Sequence, residues 1–268
     1  MRVGFIGLGG QGAPMARRIV EAGFATTLWA RNPVGLEPFA GTAAGVAGSP
    51  AELAAGSDLV CLCVVADADV EQVASGVLEG LRPGGVIAVH STVHPDTCRR
   101  LAERAAAQGV SVLDAPVSGG GRAAEQGALL VMVGGDPEVF TSCRPVFATY
   151  GDPVVHLGPV GSGQVAKLLN NTLFTAQLGL AADTLALGGA LGLDPVVLGR
   201  ILHRGSAASF ALERVADAGG TLDRIGAHAG GLLAKDVRLL SEVANAAGRA
   251  GRGSVRDAAR AALDAMGR

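Results

Sequence analysis

Gly7-Leu8-Gly9-Gly10-Gln11-Gly12 satisfies G-x-G-x-x-G and stands directly after the apolar run Val3-Gly4-Phe5-Ile6. Few short sequences restrict a fold so tightly, because each glycine answers a separate steric demand. If the run is a strand and the glycines open a helix, Gly7 permits the tight turn. Gly9 lets backbone approach a pyrophosphate, and Gly12 lets the helix pack closely on the strand. The helix N-terminus then presents unpaired N–H groups to phosphate oxygens. A helical pattern follows over 13–21, with Pro14 in its first turn, where its missing N–H costs little. The motif therefore predicts a dinucleotide-binding strand–turn–helix, with Gly7, Leu8, Gly9, Gly10, Gln11 and Gly12 against the cofactor.

The chain that follows extends this pattern. Apolar runs at 25–29, 59–64, 86–90, 112–114, 129–133 and 154–156 alternate with helical patterns at 70–79, 96–108 and 137–148. Such alternation implies an α/β fold of Rossmann type, a doubly wound, mostly parallel sheet with helices on both faces. After Gly158-Pro159-Val160-Gly161 no strand pattern continues. Apolar residues recur at helical spacing to the C-terminus, with a long first helix expected over about 164–191. Asp194-Pro195 reads as an N-cap followed by proline at the first helical position. We expect a dinucleotide-binding Rossmann domain over 1–160 and an all-α C-terminal domain over 161–268.

Composition narrows the function classes. A net charge of −2 gives no electrostatic case for nucleic acid or an anionic membrane as partner. The apolar stretch 173–193 contains Gln177 and Asp183 and is rich in Ala and Gly, which suits a helix buried among helices better than a membrane span. The run at 3–6 is too short for a secretory leader, so a cytoplasmic protein is expected. Cys61, Cys63, Cys98 and Cys143 include no C-x-x-C pair and no ligand spacing, so they read as buried, reduced thiols, and no metal is expected.

The end of the second expected strand selects the ribose. It reads Leu28-Trp29-Ala30-Arg31-Asn32-Pro33, with no carboxylate to accept from a ribose diol. Arg31 can instead pair with a 2′-phosphate in bidentate fashion, and Asn32 can add a hydrogen bond. This points to NADP, with NAD possible. Val64 and Val65, at the end of the third expected strand, join the cofactor-binding set.

With these residues in place the chain resembles the β-hydroxyacid dehydrogenase family. That family includes 3-hydroxyisobutyrate dehydrogenases, tartronate semialdehyde reductases and, more distantly, 6-phosphogluconate dehydrogenases. Gly4-Phe5-Ile6-Gly7-Leu8-Gly9 through Ala13-Pro14-Met15-Ala16 looks like its opening block. Three further blocks agree in order and approximate spacing: Asp114–Gly120, Gly161–Asn171 and Lys235–Leu239. Ser91-Thr92 with Pro95 also fits, and places Thr92 near the nicotinamide. The resemblance implies a hydride transfer between NADP(H) and a small 3-hydroxy acid or its semialdehyde. It implies that Ser118, Gly119 and Gly120 hold the substrate carboxylate, and a Ser-Gly-Gly loop after a strand is chemically suited to that task. It implies Lys167 as general acid/base, assisted by Asn171 one helical turn later, and Lys235 near cofactor and substrate. Burial beside Val165, Leu168 and Leu169 would favour the neutral amine of Lys167. It also implies that the all-α domain mediates assembly into a homodimer or homotetramer, with the substrate cleft between the two domains.

The chain departs from the family pattern at Gln11 (Met is usual), Ala123 (often Gly) and His228 (commonly Phe), and His90 precedes Ser91. His228 and Arg122 are candidates for reshaping the substrate pocket. Two other readings share the architecture. An imine reductase would replace the catalytic lysine, often by Asp or Tyr, whereas Lys167 is present. A non-catalytic dinucleotide-binding protein would be expected to lose the lysine or the Ser-Gly-Gly loop, and both are intact.

Overall fold

The computed structural model describes residues 1–249 and 253–268. Two compact units divide the chain, Met1–Lys167 and Leu168–Arg268.

The first unit is built on one sheet. Strands β1 (Val3–Ile6), β2 (Thr26–Trp29), β3 (Gly45–Val46), β4 (Leu59–Leu62), β5 (Val86–Val89) and β6 (Ser111–Asp114) run parallel in the order β3-β2-β1-β4-β5-β6. Beyond β6 lie β7 (Val117–Ser118), β8 (Leu129–Gly134) and β9 (Gly151–Gly158). Strand β8 is antiparallel to β6 and β7 and parallel to β9. The expected mostly parallel, doubly wound sheet is therefore present. Its inner strands are buried on both faces, and their side chains divide by alternation. Val3, Phe5, Leu59, Cys61, Val86 and Ala88 join one apolar cluster, and Ile6, Val60, Leu62, Ile87 and Val89 join the other. Near-continuous apolar runs are what two covered faces demand.

Helices α1 (Gly12–Glu21), α2 (Pro50–Ala55), α3 (Asp67–Gly80), α4 (Pro95–Ala106), α5 (Gly120–Glu125) and α6 (Pro137–Phe147) connect the strands. The sequence reading missed β3 and β7, with two residues each, and α2 and α5, with six each, because such pieces are too short to show a period. It also ran the strand after residue 59 to residue 64. The structure ends β4 at Leu62, and the Val64 N–H leaves the ladder to donate to Ser91 Oγ at 2.8 Å.

Helix α7 (Ser162–Ala190) starts in the first unit and continues into the second, as the long helix expected there. The second unit adds α8 (Pro195–Arg204), α9 (Phe210–Asp217), α10 (Asp223–Ala246) and α11 (Ser254–Ala265), and among the described residues it contains no strand. Asp194 caps α8, its carboxylate accepting from the N–H groups of Val196 and Val197. Leu178, Leu185, Leu212, Val215, Leu233 and Val237 make its core. No described helix is long and apolar enough to cross a membrane.

Candidate active site

The strand order turns outward from β1 and β4, and the crevice at the carboxyl ends of these two strands is where doubly wound sheets bind ligands. A cavity of about 530 Å³ opens there. Gly7, Leu8, Gly9, Arg31, Asn32, Val64 and Val65 line it, so seven of the residues chosen from sequence meet in one place. Trp29, Cys63 and Asp69 line it too, and the sequence reading did not select them.

The glycines act as their spacing predicts. Gly7 has φ +98°, and a Cβ there would overlap the Cys63 carbonyl. A Cβ on Gly12 would overlap the Gly7 carbonyl oxygen, so the close approach of α1 to β1 depends on glycine. Gly9 and Gly10 differ, because the space around their missing side chains is open. A tight turn followed by bare backbone facing open space at a helix start is a cradle for a pyrophosphate, and the donor set here fits a dinucleotide. Gln11 turns its amide toward Met15 Sδ at 3.7 Å, away from the cavity lining.

Arg31 is not a free cation at the rim. Its guanidinium donates to Asp69 Oδ1 at 3.0 Å and to Gln72 Oε1 at 3.3 Å, both on α3. Asn32 Oδ1 accepts from the Val34 N–H and caps the 3-10 turn Pro33–Phe39. Cys61, Cys98 and Cys143 are buried as expected, whereas Cys63 is half-buried at the cavity. Burial pushes the Cys63 thiol up to about 12, which keeps it protonated near neutrality.

The Ser-Gly-Gly loop lies beside the glycine loop. Ser118 ends β7, Gly119 adopts φ +130° and Gly120, at φ +76°, starts α5. A Cβ on Gly121 would sit 2.9 Å from the Gly10 carbonyl oxygen, so the backbones of α5 and the cofactor loop approach each other closely. Ser118 is half-buried, while Gly119 and Gly120 are exposed. Arg122 projects from α5 as an exposed side chain.

Thr92 does not line the cavity. Its loop is fixed by two residues to which the sequence reading gave no role, and a third holds the helix that carries one of them. Gln164 is fully buried; its Oε1 accepts from the Val93 N–H at 3.0 Å and its Nε2 donates to the Ser91 carbonyl at 2.8 Å. Asp67 accepts from the His94 N–H and from Thr97 Oγ1, at 2.8 and 2.7 Å. Asp114, also fully buried, accepts from the N–H groups of Gly161 and Gln164 at 2.6 and 2.8 Å. It thus caps α7 from 47 residues away. Burial pushes its carboxyl above the usual range, against the lowering by those N–H bonds. The capped helix carries Lys167, which is only 8% exposed.

The remaining candidates belong to the second unit. Asn171, one turn beyond Lys167 on α7, donates through Nδ2 to Asp236 Oδ2 at 2.6 Å and accepts from Asn170 at 3.0 Å. Asp236 also pairs with Lys235, Nζ to Oδ1 3.4 Å, with little of either side chain exposed. His228 sits apart from this trio, on a cavity of about 430 Å³ with Phe174, Phe210, Arg214 and Arg224. His90 is a core residue. Its Nδ1 lies 2.7 Å from the Ala115 carbonyl and its Nε2 3.2 Å from Tyr150 Oη, and burial pulls its pKa down to about 4.

A sheet of this order with a dinucleotide cradle at its switch point defines a dinucleotide-binding domain of Rossmann type. The chain belongs to the β-hydroxyacid dehydrogenase family. A family model described as the NAD binding domain of 6-phosphogluconate dehydrogenase matches residues 2–158. A second, described as NAD-binding of NADP-dependent 3-hydroxyisobutyrate dehydrogenase, matches residues 161–266. An NAD-dependent L-serine dehydrogenase of Pseudomonas aeruginosa is 36% identical over 255 residues, covering 91% of this chain and 86% of the relative. A 3-hydroxyisobutyrate dehydrogenase of the same organism is 36% identical over 213 residues, covering 78% and 72%. The solved structure of Mycobacterium tuberculosis 3-hydroxyisobutyrate dehydrogenase with L-serine superposes with a TM-score of 0.85 at 27% identity, covering 97% of this chain and 92% of that one. These relatives support a hydroxyacid dehydrogenase.

Proposed function

We propose that this protein interconverts a small 3-hydroxy acid and its semialdehyde, using NADP in preference to NAD. The observation that carries the reading is the seating of the Ser-Gly-Gly loop against the glycine loop, through Gly121 and Gly10. A carboxylate at Ser118, Gly119 and Gly120 then lies next to the cofactor cradle. L-serine and 3-hydroxyisobutyrate, named in the relatives, are both 3-hydroxy acids and so share the carboxylate and the reacting alcohol.

When bound, the nicotinamide supplies or takes up the hydride. The chain's own residues do the rest. Gly7, Leu8, Gly9 and Gly10 hold the pyrophosphate end together with the backbone of Gln11 and Gly12, and Val64 and Val65 border the rest of the cofactor. Arg31 and Asn32 face the 2′-phosphate. The Ser118 hydroxyl and the loop N–H groups orient the substrate carboxylate. Lys167 gives a proton to the carbonyl oxygen in reduction and takes it from the alcohol in oxidation. Asn171 has two amide hydrogens, of which Asp236 takes one, and the second serves the substrate oxygen. Lys235, held by Asp236, adds positive charge near the substrate. The exposed leucines of α7 support assembly as a homodimer or homotetramer.

The test is oxidation of 3-hydroxyisobutyrate and L-serine, and reduction of semialdehydes and glyoxylate, each with both cofactors. Turnover with at least one pair is expected. Lys167→Ala should lower turnover by about 10²-fold to 10⁴-fold and leave NADPH affinity unchanged. Loss of affinity with turnover retained would remove Lys167 from the chemistry.

A further inference from the structure

We propose that Asp69 sets the balance between the two cofactors by opposing the 2′-phosphate at Arg31. The first turn of α3 carries two acids, Asp67 and Asp69, and acids there are ordinarily explained by the helix N-terminus. Here their tasks differ. Asp67 is committed to the loop after β5, through the His94 N–H and Thr97 Oγ1. Asp69 lines the dinucleotide cavity. Its two oxygens divide the work: Oδ2 accepts from the Ala66 N–H at 3.2 Å and caps the helix, and Oδ1 accepts from Arg31 at 3.0 Å. Gln72, one turn on, offers a second acceptor to the same guanidinium.

The cavity therefore presents Arg31 with a carboxylate already in place. A 2′-phosphate at Arg31 must share its donors with Asp69 and lie close to that negative charge. A ribose that carries only hydroxyls meets no such repulsion. The pair is solvent-facing, with the Arg31 side chain 63% exposed, so the pairing alone holds Arg31 weakly. The like charge beside the phosphate is the larger effect. Asp69 thus narrows a preference that Arg31 would otherwise make steep. This inference rests on the reading of Arg31 as the 2′-phosphate ligand.

Asp69→Asn separates the two tasks. Asparagine keeps an oxygen for the Ala66 N–H and replaces the other oxygen by a donor, which no longer accepts from Arg31 and can donate to a phosphate. Asp69→Gln is a second, uncharged variant of a type that capping boxes accept. Trp29, the single tryptophan, lines the cavity, so its emission reports nucleotide binding without catalysis. NADPH and NADH are titrated into the unaltered protein, both variants and Arg31→Ala. Asp69→Asn should tighten NADPH by about fivefold to tenfold and leave NADH nearly unchanged. An unchanged NADPH affinity in both Asp69 variants, with Arg31→Ala still weakening NADPH over NADH, overturns the proposal alone and leaves Asp69 a helix cap. If Arg31→Ala weakens NADPH and NADH equally, the reading of Arg31 fails and takes the proposal with it.

Discussion

Gln164 spends both ends of a wholly buried amide on backbone that no strand or helix satisfies, the Val93 N–H and the Ser91 carbonyl. Gln164→Leu keeps the bulk and removes both partners, so two buried backbone groups lose their bonds at once. We expect a loss of about 3 kcal/mol, since each orphaned group costs roughly 1–3 kcal/mol. Equilibrium urea unfolding reads this directly, and a variant as stable as the parent would mean that the bonds contribute nothing net. Residues of this kind were not legible in the sequence. Asp114 is likewise explained only by partners brought from far along the chain, at Gly161 and Gln164, and Asp69 adds distant Arg31 to its local Ala66 N–H. The glycines were legible because the strand–turn–helix demand is local, Gly7 needing φ +98° and Gly12 packing on the Gly7 carbonyl within the same motif. Arg31 was half legible: its type pointed to a phosphate, but nothing in Arg31-Asn32-Pro33 foretells a carboxylate on α3.

Strands β1, β4 and β5 could be read from sequence because burial on both faces leaves a run of apolar residues that few other elements produce. The reversal at β8 could not, since a buried strand has the same composition in either direction. His90 belongs to this scale, because it follows β5 and ties the Ala115 carbonyl to Tyr150, beyond α6. Its imidazole stays neutral until about 4 in the folded protein, against an ordinary 6.5. The unfolded chain takes up the proton first, so the native state loses stability as pH falls from about 6.5 to about 4 and is unaffected above. The span is worth about 3 kcal/mol at 1.36 kcal/mol per unit. Thermal melts across that range should fall less steeply for His90→Gln than for the parent. Parallel curves would assign the acid limb to other groups. Asp114, whose raised pKa gives stability that declines as pH rises through its range, changes neither side of that comparison.

At the scale of the whole molecule, the change from alternating strands and helices to helices alone was plain in the sequence, whereas the surface left open by the second unit was not. Helical spacing says which residues share a face but not whether a neighbour covers it. On α7 the residues Leu169, Leu173, Leu180 and Leu187 are 52, 50, 60 and 59% exposed. At 100° per residue they fall within about 40° of arc, one apolar stripe along the helix. Their side chains are absent from the core formed by Leu178, Leu185 and Leu212, so that core does not account for them. A stripe of this length is the kind of surface that an isologous contact covers. We expect more than one chain per particle in sedimentation equilibrium. Leu180→Arg with Leu187→Arg should reduce the particle to a single chain while helix content is kept, because both positions lie outside the core. An unaltered protein that sediments as one chain would end the case for assembly, and a doubly substituted protein of undiminished mass would move the contact off this stripe.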